Sequence, residues 1–170
     1  MKLLIDGYNL LQAAGQFGSA AGFGTLESAR MALLDYLVST LPAADAKRTL
    51  VVFDAAAAPP GLPATIDHEG ITVRFSRRKG TADDLIEELL ESVADPRHLT
   101  VVSSDHRIQR AARRRRATPV DSEVWLRELR QRGTSGAAGR SEAKRPVGVD
   151  NPFPADYLEQ IEQELDRNGN

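Results

Sequence analysis

Aspartates follow several short apolar segments of the chain. Two such segments end in Asp6 and in Asp54, and a third is followed by Asp105. Two further carboxylates, Asp83 and Asp84, fall in the first turn of a predicted helix. If the apolar segments are parallel strands, their carboxyl ends lie along one edge of a sheet, where open α/β proteins bind ligands. We therefore expect the five carboxylates to converge.

Converging carboxylates repel one another, which raises their pKa values or requires a counter-ion. Mg²⁺ or Mn²⁺ meets this requirement because hard cations prefer carboxylate oxygens and water. The chain has no cysteine and only three histidines, none of which shows metal-ligand spacing, and this argues against zinc. Singly, each acid has a plainer interpretation, as a turn residue or as a helix-start carboxylate stabilised by the helix dipole. Their coincidence favours a metal site with the ligands Asp6, Asp54, Asp83, Asp84 and Asp105.

Three uncharged polar residues accompany these acids. Asn9, three residues after Asp6, can hydrogen-bond that aspartate or a substrate phosphate, or form an ordinary turn. Ser103 and Ser104 precede Asp105 and can orient a metal-bound water or contact a phosphate. For Ser103 we favour a simpler role as the cap of the helix that follows.

Basic residues flank two of the acidic positions. Arg107 begins a ten-residue segment with six arginines and no acid, and a basic turn over 77–79 precedes Asp83. Runs of arginine are usually solvated surface, but beside a metal site they attract a polyanion such as nucleic acid. The predicted nucleic-acid contacts are Arg77, Arg78, Lys79, Arg107, Arg110 and Arg114.

The predicted elements explain how the acids would meet. Apolar runs predict strands over residues 2–6, 49–53, 71–75, 99–102 and 118–120. Helical spacing predicts helices over residues 26–41, 82–94, 107–116 and 123–132, with Thr81 and Ser122 as caps and a loop after Asp6. Because strands and helices alternate, we expect an α/β domain with a parallel sheet covered on both faces.

The composition limits the class of protein. The 170 residues are 41% hydrophobic and 27% charged, which suits one globular domain with a tail. No apolar run approaches the roughly 20 residues of a membrane span, so we expect no membrane partner. The N-terminal apolar stretch is too short for a signal peptide and the chain has no cysteine, so we expect a cytoplasmic protein. We predict a domain over 1–132, a flexible linker over 133–149 and an acidic helix within 150–170.

Four segments of the chain carry a family resemblance: LLIDGYNLL, VVFDA, GTADDLIEEL and VVSSDHRIQ. In this order, over residues 1–130, they resemble the YacP-like NYN-domain ribonucleases, which are relatives of the PIN-domain nucleases. The resemblance implies a PIN-like three-layer α/β/α sandwich with a central, mostly parallel sheet. It also implies endonucleolytic cleavage of RNA that depends on Mg²⁺ or Mn²⁺.

Position by position, the resemblance implies catalytic roles for Asp6, Asn9, Asp83 and Asp105. Asp54 matches the acid after the second strand, while Asp84 and Glu87 are further candidate ligands. One or two metal ions would activate the attacking water, with Asp6 bridging them if two bind. The family includes a ribosome-associated ribonuclease, so the partners to consider are RNA and, through it, the ribosome.

Other functions stay open at this point. A domain of this fold that loads metal poorly would bind RNA without cutting it. A small-molecule phosphohydrolase is less favoured, because Tyr8 occupies the position of the second aspartate in the DxDx[TV] motif of haloacid dehalogenases. DNA is not excluded as a substrate, since no residue recognisably reads a 2′-hydroxyl. Neither the oligomeric state nor the number of metals follows from the sequence.

Overall fold

A mixed sheet lies at the centre of the computed structural model, which describes residues 1–15, 26–54, 64–76 and 80–136. Its strands are β1 (Leu3–Asp6), β2 (Thr49–Phe53), β3 (Thr65–His68), β4 (Ile71–Phe75), β5 (Thr100–Val102) and β6 (Thr118–Val120). They lie in the order β3-β4-β2-β1-β5-β6, and only β3 runs antiparallel to its neighbour within the described residues. The expected parallel arrangement is confirmed for the other five strands.

Helices cover both faces of this sheet. They are α1 (Gly7–Ala13), α2 (Leu26–Thr40), α3 (Ala43–Ala46), α4 (Ala82–Ser92), α5 (His106–Arg114) and α6 (Ser122–Gly136). Because side chains alternate along a strand, Leu3 and Ile5 pack with α1, α2 and α6, whereas Leu4 packs with α4 and α5. The predicted three-layer α/β/α sandwich is therefore confirmed. No helix in the part of the chain described is long and apolar enough to cross a membrane.

Helix α1 was not predicted, since Gly7-Tyr8-Asn9 looked like the start of a loop. Asp6 begins the helix by accepting a hydrogen bond from the backbone N–H of Asn9 at 3.1 Å. Gly7 is required by close packing, because a Cβ atom at this position would lie 2.2 Å from the ring of Phe53. The first strand thus passes directly into a helix at the edge of the sheet where the acids were expected.

Strand β3 is a second element that the sequence did not predict. It forms a tight hairpin with β4 through Glu69 and Gly70, which both have positive φ, 49° and 93°. Its buried His68 is held by the carboxylate of Asp35 on α2, 2.9 Å from the Nε2 atom. Three of the four residues of this strand are not fully buried, which explains why no apolar run marked it.

The last helix differs from its prediction at both ends. Asp121, not Ser122, supplies the capping oxygen, which accepts the N–H groups of Glu123 at 2.9 Å and Val124 at 3.3 Å. At the other end α6 continues to Gly136, so residues 133–136 are helical and the predicted linker begins too early. Residues 137–170, including the predicted acidic helix, lie outside the described residues, and the division into domain, linker and helix stays a prediction.

Candidate active site

Asp6 lies at the centre of the carboxyl edge of the sheet. It ends β1, and its side chain is 6% exposed. Its Oδ1 atom accepts the N–H of Asn9, and its Oδ2 atom accepts the Ser103 hydroxyl at 3.2 Å. Burial raises the pKa of Asp6 to about 6. The two hydrogen bonds lower this pKa in part, and the negative charges of Asp83 and Asp105 raise it further. A carboxylate in this environment is poorly solvated, so a nearby cation would stabilise it.

Asp83 and Asp105 meet Asp6 from two neighbouring helices. Asp83 is in the first turn of α4. Its pKa is raised mainly by partial burial and next by repulsion from Asp105, whereas the positive charge of Arg107 lowers it. Asp105 is the N-cap of α5 and accepts the N–H groups of Arg107 and Ile108. Ser103 hydrogen-bonds both Asp6 and the Asp105 backbone, and Asp6 and Asp83 line one cleft, so the structure brings these three predicted residues together.

Asp54 shares an open cleft with two of these acids. Its Oδ1 atom accepts the Ser76 hydroxyl at 3.3 Å, and its Oδ2 atom accepts the Ala82 N–H at 3.4 Å. The cleft has a volume of about 520 Å³ and is lined by Asp6, Tyr8, Asn9, Gln12, Asp54, Thr81, Ala82 and Asp83. This cleft gives three of the five sequence-predicted acids, Asp6, Asp54 and Asp83, a common opening to solvent.

A divalent cation fits the chemistry of this donor set. In the described part of the chain, no three histidine, aspartate or glutamate side chains already form a metal-holding group. Mg²⁺, however, usually binds through one or two carboxylates and keeps several waters, so it does not need a closed protein cage. The residues that would hold it are Asp6, Asp83 and Asp105, and Asp54 lines the same cleft as Asp6 and Asp83.

Asn9 ties the edge of the sheet to two neighbouring segments. Its Oδ1 atom accepts the Ser104 N–H and the Ser122 hydroxyl, both at 2.9 Å. The expected bond between Asn9 and Asp6 is made by the Asn9 backbone N–H, whereas its side chain bonds Ser104 and Ser122. Ser122 therefore acts as a buried link between α6 and α1, which is the physical reason why its predicted capping role is wrong.

Ser103 also has a different role from the helix cap that we favoured. Its side chain is buried and donates to Asp6, while its Oγ atom accepts the Asp105 N–H at 3.1 Å. Asp105 itself caps α5. Ser103 is thus placed between two of the three clustered aspartates.

Asp84 and Glu87 are engaged outside the cleft. Thr81 caps α4, as predicted, and forms a reciprocal capping box with Asp84. The Asp84 carboxylate also accepts Arg107 Nη2 at 2.7 Å. Glu87 accepts Arg107 Nε at 3.0 Å. The pKa of Asp84 is lowered mainly by its hydrogen bond from Arg107 and next by its hydrogen bonds with Thr81. We therefore leave Asp84 and Glu87 out of the proposed metal-binding set.

The arginines of α5 separate into different environments. Arg107 binds the two carboxylates on α4, and Arg115 donates to the carbonyls at the end of α4, including Leu90 O at 3.1 Å. Arg110 and Arg114 are exposed. The predicted contacts Arg77, Arg78 and Lys79 lie outside the described residues.

A second cleft adjoins the first. Its volume is about 610 Å³, and it shares Asn9 and Gln12 with the acidic cleft. Its other lining residues are Ala13, Ser104, Asp105, His106, Arg107, Arg110 and Glu123. Gln12 and Tyr8 were not singled out as site residues, although placing a helix directly after Asp6 would have put both beside Asn9.

A family model decides which proteins this chain is related to. The model of the YacP-like NYN domain matches residues 3–165. The chain belongs to this family. YacP-like NYN domains are a nuclease family, and the match extends well beyond residues 1–130, to which the four sequence motifs are confined.

Solved structures of a YacP protein support this assignment. The chain is similar to a mutant of Rae1 (YacP) from Bacillus subtilis, with 25% identity and a TM-score of 0.59 over 78% of this chain and 77% of that one. A second structure, of Rae1 (YacP) from the same organism, shares the fold at 21% identity and a TM-score of 0.58, over 99% of this chain and 85% of that one. A comparison with curated proteins gives no match.

Proposed function

We propose that this YacP-like NYN domain is an endoribonuclease that depends on Mg²⁺ or Mn²⁺. The observation that carries the proposal is the position of Asp6, Asp83 and Asp105 at the carboxyl edge of the sheet, where Ser103 links Asp6 to Asp105 and one cleft contains Asp6 and Asp83. These acids come from a strand end and from the starts of two helices, and membership of a nuclease family supports their use on a phosphodiester.

The side chains of the site have different proposed roles. Asp6, Asp83 and Asp105 hold the cation, and Asp54 orients water or substrate from the cleft wall. A divalent cation held there would supply a lowered pKa for the attacking water and positive charge beside the scissile phosphate. Ser103 keeps the Asp6 carboxylate in place, and the buried bonds of Asn9 hold the two neighbouring loops at the same edge.

The adjoining cleft supplies the path for an RNA strand. Arg110 lines it and forms no ion pair with any residue in the described ranges, so its guanidinium is available for a backbone phosphate. Arg107 is engaged by Asp84 and Glu87, and we assign it a positioning role between α4 and α5. A strand that crosses both clefts passes Asp6, Asp54 and Asp83 in the first cleft, and Asp105 and Arg110 in the second.

Cleavage of a labelled single-stranded RNA tests the proposal. Wild type is incubated with Mg²⁺, Mn²⁺ or EDTA and compared with Asp6→Asn. The matched control is Asp95→Asn, which removes an exposed carboxylate paired with Arg97 before β5. We expect cutting with either metal, none with EDTA, loss in Asp6→Asn and retention in Asp95→Asn.

The same assay separates the alternative function. RNA that is bound but never cut, with affinity unchanged in Asp6→Asn, would indicate a binding module that does not use the acids. Cutting that persists in EDTA would contradict metal dependence.

A further inference from the structure

Gln12 lies where the two clefts meet. It is an exposed residue near the end of α1, and it belongs with Asn9 to the lining of both clefts. Its side-chain amide forms no hydrogen bond with any residue that the structure describes. The side-chain amide of Asn9, by contrast, accepts hydrogen bonds from Ser104 and Ser122. An RNA strand that passes between the clefts therefore meets in Gln12 a neutral group with donors and an acceptor available.

Glu123 brings a carboxylate to the second cleft. It is exposed in the first turn of α6, and its side chain forms no ion pair or hydrogen bond within the described ranges. The helix dipole favours an acid in this turn, but Asp121 already caps α6 by accepting the N–H groups of Glu123 and Val124. The Glu123 carboxylate is thus an acceptor that the described contacts of the fold do not use.

The charges of the second cleft match different parts of a nucleotide. The guanidinium of Arg110 suits a backbone phosphate. The Glu123 carboxylate repels a phosphate, and its partner must be a hydrogen-bond donor. An unpaired RNA strand presents such donors on the edges of its bases. Glu123 and Gln12 are therefore suited to a base, and Arg110 to the backbone beside it.

Guanine is the base that fits this pair of side chains. On its Watson–Crick edge the N1–H and the N2 amino group are adjacent donors, which the two oxygens of a carboxylate accept together. Each of the other three bases places an acceptor beside the donor on that edge, and this acceptor would face the negative charge. Guanine also carries the O6 acceptor, to which the Gln12 amide is able to donate.

We propose that the second cleft is a guanine-binding subsite for an RNA strand, in which Glu123 accepts the N1–H and the N2 amino group and Gln12 donates to O6. The inference rests on the proposed nuclease function, since that function brings the strand to the cleft. It makes Gln12 and Glu123 specificity-determining residues, whereas Asp6, Asp83 and Asp105 stay assigned to the metal.

Binding of three matched RNAs tests the subsite. They are fluorescent uridine oligomers that contain a single guanosine, inosine or adenosine at the same position, and inosine is guanosine without the N2 amino group. Affinities are measured with Ca²⁺ in place of Mg²⁺ for wild type, Glu123→Gln and Glu128→Gln. The control Glu128 is on the same helix, pairs with Arg132 and lines neither cleft.

The guanosine oligomer should bind wild type about tenfold more tightly than the adenosine oligomer, as a good bidentate contact to a base allows. The inosine oligomer should lie between them because it keeps one of the two donors. Glu123→Gln should remove this preference, and Glu128→Gln should keep it.

Gln12→Met tests the second contact, since it keeps the length of the side chain and removes the amide. We expect it to weaken binding of the guanosine oligomer by about fivefold, the effect of one neutral hydrogen bond, and to leave the adenosine oligomer almost unaffected. Equal losses for both oligomers would overturn the bond to O6.

The outcomes separate the subsite from the nuclease. Equal affinity of wild type for the three oligomers would overturn the guanine assignment, whether or not the protein cuts RNA. Tighter binding of all three by Glu123→Gln, with the preference unchanged, would make Glu123 a source of repulsion only. A lower melting temperature of Glu123→Gln with unchanged binding would make it a helix-start acid only. A guanosine preference that depends on Glu123, in a protein that never cuts RNA, would support the subsite and contradict the nuclease.

Discussion

Ser103 joins two of the clustered aspartates through a single hydroxyl group. Its Oγ atom donates to Asp6 Oδ2 at 3.2 Å and accepts the Asp105 N–H at 3.1 Å. The contact spans the neighbouring strands β1 and β5, so the spacing of the two acids depends on a residue that is not itself acidic.

Ser103→Ala should therefore impair the site while keeping all its acids. Loss of groups that orient metal ligands typically costs 10–100-fold in activity or metal affinity, so we expect cleavage to fall by at least about tenfold. Stability should fall by about 1–3 kcal/mol because a buried carboxylate loses a donor. Ser92→Ala is the control, since that hydroxyl donates to the Leu89 carbonyl within α4. Equal activity of the two variants would contradict the role of Ser103.

Asp6→Asn should make the metal-free protein more stable at neutral pH. The pKa of Asp6 is raised by burial from 3.8 to about 6. The folded protein therefore binds this proton more tightly than the unfolded chain, and the free energy of unfolding decreases as pH rises from about 4 to about 6. A rise of about two pKa units corresponds to at most about 3 kcal/mol, so the variant should gain about 1–3 kcal/mol at pH 7.

Urea unfolding in EDTA at pH 4 and pH 7 measures this difference. The gain of Asp6→Asn over wild type should be present at pH 7 and largely absent at pH 4. A variant that is less stable than wild type at pH 7 would show that the carboxylate contributes more through its hydrogen bonds than it costs through burial.

Arg110→Ala should weaken the binding of RNA by the same factor whatever the RNA sequence. Arg110 lines the second cleft, whereas Arg115 donates to backbone carbonyls of α4. Loss of one phosphate contact on a single strand should reduce the slope of log K against log salt by about 0.7. Titrations of labelled RNA between low and moderate salt measure this slope. If Arg110→Ala keeps the wild-type slope, the second cleft does not carry the RNA backbone.

Glu69→Asn should stabilise the fold without touching the site. Glu69 has φ of 49° in the β3–β4 turn, a conformation that asparagine tolerates better than glutamate. We expect a gain of up to about 1 kcal/mol, because the left-handed region costs an ordinary L-residue about 1–2 kcal/mol and asparagine less. Thermal unfolding compares it with Glu69→Ala, which keeps the unfavourable φ. Equal melting temperatures of the two variants would exclude strain relief as the cause.

The sequence predicted the parts of the fold that are marked by apolar pattern. Runs such as 49–53 identify buried strands, and the pattern of Thr81 with Asp84 identifies the start of α4. Helix α1 was missed because its start depends on the cap at Asp6 and on the close approach of Gly7 to Phe53, a residue far away in the chain. Strand β3 was missed because most of its residues are partly exposed.

The candidate site was likewise predicted only in part from the sequence. Strand topology is sufficient to predict that Asp6 and Asp105 converge, because parallel strands end along one edge. It does not predict which neighbouring carboxylate binds an arginine, and Asp84 is paired with Arg107 across two helices. The contact of Tyr8 with Arg30 likewise joins residues 22 positions apart through packing, for which no local pattern exists.

Cleavage of a circular, internally labelled RNA tests the central claim most directly, since only an endonuclease can open a circle. Wild type and Asp83→Asn are incubated with Mn²⁺ and with Mn²⁺ plus excess EDTA. We predict that wild type linearises the circle only when free Mn²⁺ is present, and that Asp83→Asn leaves it closed. Linearisation by Asp83→Asn at the wild-type rate, or by wild type in excess EDTA, would contradict a metal-dependent endoribonuclease built on these aspartates.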